Sequence, residues 1–80
     1  LCYLLPERQR SGHGSAALEL LASLVSTAGV TSLELRVNRD NTRAIAFYRK
    51  NGFEIYAEDC RPIGGDFVMD DYLMRRPLEP

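Results

Sequence analysis

Gly12-His13-Gly14 stands directly in front of "SAALELL", where the apolar residues begin to recur at helical spacing. A strand that ends in a glycine-rich loop and feeds a helix presents unpaired backbone N–H groups at the positive end of the helix dipole. Phosphate is the natural occupant of such a turn. Gly12 and Gly14 let the main chain approach an anion without a Cβ in the way, and Arg10 adds a positive charge. A plainer reading stands beside this one, because a strand-to-helix turn can need glycine for its own geometry. Two familiar phosphate loops are excluded. Walker A needs a G-K-[ST] that the chain lacks, and the dinucleotide fingerprint needs a third glycine where Ala17 stands.

The other chemistry-bearing residues are sparse. Cys2 and Cys60 have neither CxxC spacing nor neighbouring histidines, which favours free thiols over a disulfide or a zinc site, and no metal is expected. Asp70 and Asp71 are adjacent in a strand-like run, so they point to opposite faces and do not form a shared acid/base pair. Ten basic and eleven acidic residues leave a formal charge of −1, so no global field recruits nucleic acid or an acidic membrane surface. No apolar stretch approaches the ~20 residues of a membrane span, and no signal-peptide pattern is present. The expectation is a cytoplasmic protein. With 45% hydrophobic and 26% charged residues in 80, the balance is that of one globular domain spanning 1–80. Because it starts at Leu1 inside an apolar run, the chain is also expected to be part of something larger.

The elements that must position these residues follow from periodicity. "LCYLL" is a short strand, expected to be buried on both faces and ended by Pro6. From residue 15 to about 28, Ala17, Leu18, Leu21, Leu24, Val25 and Ala28 form one apolar helix face, which Gly29 stops as a left-handed cap. "VTSLELRV" alternates Leu33, Leu35 and Val37 with Glu34 and Arg36 as a second strand. Asp40 or Asn41 can cap a second helix, whose apolar side is Ala44, Ile45, Phe47 and Tyr48 and which Asn51-Gly52 ends. "FEIYAED" is a third strand. After the turn-rich "CRPIGGD", "FVMDDYLMR" completes a hairpin that turns at Gly64 and Gly65. The order strand-helix-strand-helix-strand-strand predicts a layered α/β (α+β) fold, a mixed sheet carrying two helices.

Two segments carry a family resemblance. "LLPERQRSGHGSAALELL" resembles the Q/R-x-x-G-x-G/A acyl-CoA pyrophosphate loop of the GNAT N-acetyltransferases, with Gln9, Gly12 and Gly14 at the matching places. "LELRVNRDNTRAIAFYRKNGF" resembles their N-x-x-A-x-x-x-Y-x-x-x-G-F segment through Asn41, Ala44, Tyr48, Gly52 and Phe53. The resemblance covers the whole chain but only the C-terminal half of the family's domain, without the strands and helices that precede it there.

It implies acetyl-CoA as co-substrate, with the backbone of Cys2, Tyr3 and Leu4 along the pantetheine arm. It implies further that the amides of Arg10, Ser11, Gly12, His13, Gly14 and Ser15 hold the pyrophosphate, and that Asn41 contacts the cofactor. Tyr48 matches the residue that gives a proton to the departing CoA thiolate. A thiol of pKa about 8.5 faces a phenol near 10, so full transfer from an unperturbed Tyr48 is uphill by roughly 2 kcal/mol and the proton moves late. The alternative makes Tyr48 one more ring on a buried face.

An unperturbed amine acceptor of pKa about 10.4 is only about 0.04% neutral at pH 7, so a base or a desolvating pocket is required. Where some relatives carry a glutamate, alignment to Asn41 puts Arg36, which could meet an anionic acceptor. Glu34 lies on the same strand face and is the candidate base, against a reading of Glu34 and Arg36 as a polar face. His13, the variable residue between two glycines, is expected to contribute its amide rather than its ring. The expected function is acetyl transfer from acetyl-CoA to a primary amine of a small molecule or peptide by direct attack. The rivals are a non-catalytic acyl-CoA-binding module and a structural dimerisation domain of the same fold. An apolar first strand with nothing before it also predicts a homodimer or higher oligomer.

Overall fold

The structure is a computed structural model that describes residues 1–5 and 14–78, with the backbone alone at Ile63 and Phe67. The elements follow the expected order: β1 (Cys2–Leu4), α1 (Ser15–Thr27), β2 (Ser32–Asn38), α2 (Thr42–Lys50), β3 (Glu54–Gly64) and β4 (Phe67–Pro77). They form one four-stranded sheet in the order β1-β2-β4-β3. β1 and β2 are parallel, joined through α1, whereas β4 runs antiparallel to both β2 and β3. Among the described residues no helix is long and apolar enough to cross a membrane.

Period-two alternation divides the sheet into a covered and an open face. Leu33, Leu35 and Val37 of β2 cluster with Met74 of β4, Phe53, Leu5, Leu18 and Ala22 of α1, and Tyr48 of α2. Ser32, Glu34 and Arg36 point the other way. The covered face carries polar contacts at its margins, since Arg76 and Tyr72 of β4 pair with Leu33 and Val37. Arg76 reaches Glu19 of α1 at 2.8 Å, and the Arg39 guanidinium lies 4.6 Å from the centre of the Tyr72 ring.

Both helices end in the same way, for a reason legible in the sequence. Gly29 and Gly52 have φ of +89° and +91°, a conformation in which a side chain is strained. In α1 the N–H of Gly29 donates to Ser26 O and that of Val30 to Val25 O. In α2 the N–H of Gly52 donates to Arg49 O and that of Phe53 to Tyr48 O. This pair of bonds is the Schellman motif, which brings the residue after the glycine onto the helix's last turn. In α2 those two residues are Phe53 and Tyr48, whose rings meet edge to face with centroids 5.4 Å apart. The spacing Y-x-x-x-G-F is therefore a helix stop that also locks an aromatic pair into the core.

Three expectations are corrected. "CRPIG" is strand, not turn: β3 continues through Gly64 and the hairpin loop is Gly65-Asp66. β3 is an edge strand, so Pro62 removes no needed ladder donor, and a register shift follows it. Gly65, with φ of +55°, takes the first central position of the loop, where a type II′ turn requires glycine. On α1 the buried residues are Leu18 and Ala22, with Leu21 and Val25 partly buried, whereas Ala17, Leu24 and Ala28 are exposed. A sheet this narrow covers a smaller arc of the helix than the apolar spacing suggests. Finally, β1 is not buried on both faces. Cys2 is exposed, and Leu1 and Leu4 are 80% and 67% exposed, because the helices cover one side of the sheet only.

Candidate functional site

α1 opens at Gly14, whose extended backbone (φ −93°, ψ 174°) places its carbonyl to accept from the N–H of Ala17 and Leu18. Among the described residues no side chain caps this end and no acidic residue stands in the first turn, so none of them neutralises the positive end of the helix. Among the described residues a Cβ built on Gly14 would meet nothing within 4 Å, and its φ suits any residue. Gln9, Arg10, Ser11, Gly12 and His13 lie outside the described residues. Ser15 is the first residue of α1, and Cys2, Tyr3 and Leu4 form β1. Tyr3 pairs with Leu33 and packs at the edge of the core, while Cys2 and Leu4 stand on the open face.

α2 starts at Asn41, whose Oδ1 accepts the N–H of Ala44 at 3.3 Å. The side chain matched to cofactor contact therefore also caps the helix, satisfying one of the N–H groups that open it. Tyr48 is 3% exposed, held between Phe47 and Phe53 with both centroids 5.4 Å away. It belongs to the covered face. Glu34 belongs to the open one, so β2 stands between the two residues proposed for proton transfer.

On the open face, Cys2, Leu4, Glu34, Arg36, Tyr56 and Leu73 line a hollow of about 290 Å³. The Tyr56 hydroxyl donates to Glu34 Oε1 at 2.5 Å, and Arg75 Nη2 lies 3.5 Å from the same oxygen. Ser32 Oγ donates to Cys2 Sγ at 2.8 Å. The Glu34 carboxyl is held below the usual carboxylate range, first by the Cys2 thiol and then by the Tyr56 hydroxyl, with Arg75 adding to both. Tyr56 in turn is pushed up, because the Glu34 carboxylate accepts from its neutral form. Arg36 meets anions of its own chain, Asp59 Oδ2 at 2.7 Å and Asp71 Oδ2 at 3.4 Å. Asp70 faces the other way and binds Arg39 Nε at 2.8 Å, so the two aspartates are separated as alternation requires. Among the described residues no group of three His, Cys, Asp or Glu side chains is gathered as a metal site would need.

Tyr56 and Arg75 carry no motif, and sequence reasoning missed them. Their meeting with Glu34 depends on which strands are neighbours, and beyond Tyr56 a bulge shifts the register of β3 as well. Ile55 pairs with Met74 and Ala57 with Leu73, which leaves Tyr56 as an extra residue and reverses the alternation of β3 beyond it. Strict alternation from Ile55 would send Asp59 to the covered face. The bulge sends it to the open one, opposite Asp71 and onto Arg36.

Residues 1–53 match the Acetyltransferase (GNAT) family. The chain is similar to a spermidine N(1)-acetyltransferase of Thermoplasma acidophilum, 32% identical over 85% of this chain and 40% of that protein. Among solved structures it is similar to Ard1 from Thermoplasma volcanium, 35% identical, covering 99% of this chain and 55% of that one with a TM-score of 0.71. It is also similar to the ribosomal-protein-S18-alanine N-acetyltransferase from Escherichia coli, 32% identical, covering 94% and 49% with a TM-score of 0.67. The chain thus spans about half the length of the proteins it matches. With the family match over residues 1–53 and a four-stranded mixed sheet bearing two helices, as in those structures, the chain belongs to the GNAT acetyltransferase family.

Proposed function

We propose that this chain is the acetyl-CoA-binding part of an N-acetyltransferase that passes an acetyl group directly to a primary amine. The observation that carries this reading is the opening of α1, where among the described residues a glycine has open space around it, no side-chain cap and no acid in the first turn. Gly14 and Ser15, with the loop from Arg10, would hold the pyrophosphate, and β1 would lie along the pantetheine. Bound there, acetyl-CoA supplies an activated thioester. Glu34 takes the proton that the amine must lose, and Tyr48 donates to the leaving sulfur. The acceptor meets a hollow that combines Leu4 and Leu73 with the Glu34 carboxylate, a fit for an amine on a partly apolar chain. Spermidine and an N-terminal alanine, named for two similar proteins, are amines of two different kinds and serve as probes.

Calorimetry with acetyl-CoA, followed by CoA release with spermidine and with an alanine-initiated peptide, tests this reading. Binding with release supports the enzyme. Binding alone supports a cofactor-binding module, and the absence of both supports a structural role. Gly14→Val should weaken acetyl-CoA binding at least about tenfold, since its side chain would fill the space left for phosphate. Tyr48→Phe keeps the ring packing and should lower turnover by about 10² with acetyl-CoA affinity unchanged. Equal turnover would return Tyr48 to the core. A second copy of the chain is proposed to cover β1, which pairs on one side only among the described residues and exposes Leu1 and Leu4.

A further inference from the structure

We propose that Tyr56 is a positioning residue for Glu34, holding its carboxylate in one orientation toward the hollow of the open face where the acceptor amine is taken up. This rests on the reading of Glu34 as the base. Three neighbouring strands build the arrangement: Glu34 on β2, Arg75 on β4 and Tyr56 on β3. Strands two apart in a sheet are separated by about 10 Å, a span that two long side chains must cross together. Tyr56 crosses it by lying over Arg75, whose guanidinium carbon is 4.1 Å from the ring centre, and its hydroxyl ends on Glu34 Oε1.

Alternation from Ile55, which pairs with Met74 of the covered face, puts Tyr56 on the open face, and the bulge at Ile55/Ala57 leaves it without an opposite residue on β4. Arg75 Nη2 donates to the same oxygen at 3.5 Å, a longer bond than the 2.5 Å of the hydroxyl. An unanchored glutamate on an open strand face would sample several rotamers, few of which point into the hollow. The groups that face Glu34 are Cys2 from β1, Tyr56 from β3, Arg75 from β4, and Arg36 two residues along its own strand.

The test reads Glu34 directly, by the pH dependence of its side-chain carboxyl carbon in NMR spectra of the full chain, for wild type, Tyr56→Phe and the control Tyr72→Phe. Tyr56→Phe keeps the ring over Arg75 and deletes one of the donors that favour the ionised carboxylate, leaving the Cys2 thiol and Arg75 in place, so the Glu34 midpoint should rise. Tyr72→Phe should leave it in place. In CoA-release assays with spermidine and the alanine-initiated peptide, Tyr56→Phe should lower kcat/KM for the amine about tenfold. It should also carry the acidic limb of the pH profile to higher pH, with KM for acetyl-CoA unchanged. A Glu34 midpoint unmoved by Tyr56→Phe, or a loss of activity without movement of the limb, overturns the role of Tyr56. The base reading fails on a separate variant: wild-type CoA release by Glu34→Gln would remove it, and with it the purpose of the anchor, whatever Tyr56→Phe does.

Discussion

On one side of β2, Leu33, Leu35 and Val37 are buried among residues of both helices. On the other, Glu34 and Arg36 of the same strand meet a tyrosine, a second arginine and two aspartates. Seven residues of chain thus serve two surfaces with unlike rules. The covered face is apolar, and its cohesion comes from area removed from water. The open face is held by charge-assisted contacts between half-exposed groups, which contribute modestly to stability but fix where side chains point. The first kind of surface supports a fold and the second can present a base. Tyr48 is where the division blurs, because its ring packs in the covered core while its hydroxyl is the proposed acid.

The largest expected effect breaks the covered face. Phe53 is 1% exposed, donates its N–H to the last turn of α2, and meets Tyr48 edge to face. Phe53→Ala removes the ring and leaves a cavity, at a cost of about 3–5 kcal/mol. For a chain this small that approaches the whole stability of the fold. Urea unfolding followed by circular dichroism should show a lost or greatly shifted transition. A midpoint close to wild type would mean that the aromatic pair is dispensable and that the covered face is held elsewhere.

The difference between the faces also explains what the sequence discloses. Element order, the two helix stops and the cap at Asn41 were legible, since each rests on a local signal: period, a glycine of positive φ, or a side chain that accepts an N–H. Asp70 and Asp71 were correctly separated by alternation alone. What escaped depends on pairing partners. Residues 60–64 look like a turn by composition, yet β4 offers them a ladder, and an edge strand tolerates Pro62. Asp59 reaches the open face because of a one-residue bulge that no composition marks, and Tyr56 meets Glu34 only because β4 lies between their strands. The overestimated apolar face of α1 has a similar origin. Leu24 is 61% exposed because a four-stranded sheet is too narrow to meet it.

A smaller effect is expected where the open face reaches the sheet edge. If a second copy pairs with β1, light scattering across a concentration series should give twice the 9.0 kDa of one chain at micromolar concentration. Leu4→Lys should then give the monomer, since a charge on an edge strand opposes pairing with another chain. Because Leu4 is 67% exposed within one chain, its replacement should leave the unfolding midpoint of that monomer nearly unchanged. A wild-type protein that scatters as a monomer at all concentrations would remove the second copy.

The smallest expected effect is one of pH and lies wholly on the open face. The Arg36 guanidinium beside Asp59 holds its carboxyl below the usual carboxylate range, with Arg61 adding to the attraction. A carboxyl depressed in the folded state adds stability that is fully present above its unfolded pKa of about 3.9 and is lost as pH falls through the folded value. Stability should therefore be level near neutrality and decline in the acid range below about pH 4. Glu34, held down by the Cys2 thiol and Tyr56, and Glu19, held down by Arg76, decline in the same direction. Asp59→Asn cannot be protonated, so its urea midpoint should be slightly lower than wild type at pH 7 and the two should converge as the acid range is entered. Val37→Ala, a control on the covered face, should instead lower the midpoint by a similar amount at every pH, because no titrating group is lost. Parallel pH curves for wild type and Asp59→Asn would show that the ion pair beside Arg36 does not couple to folding, and that the open face owes its order to hydrogen bonds alone.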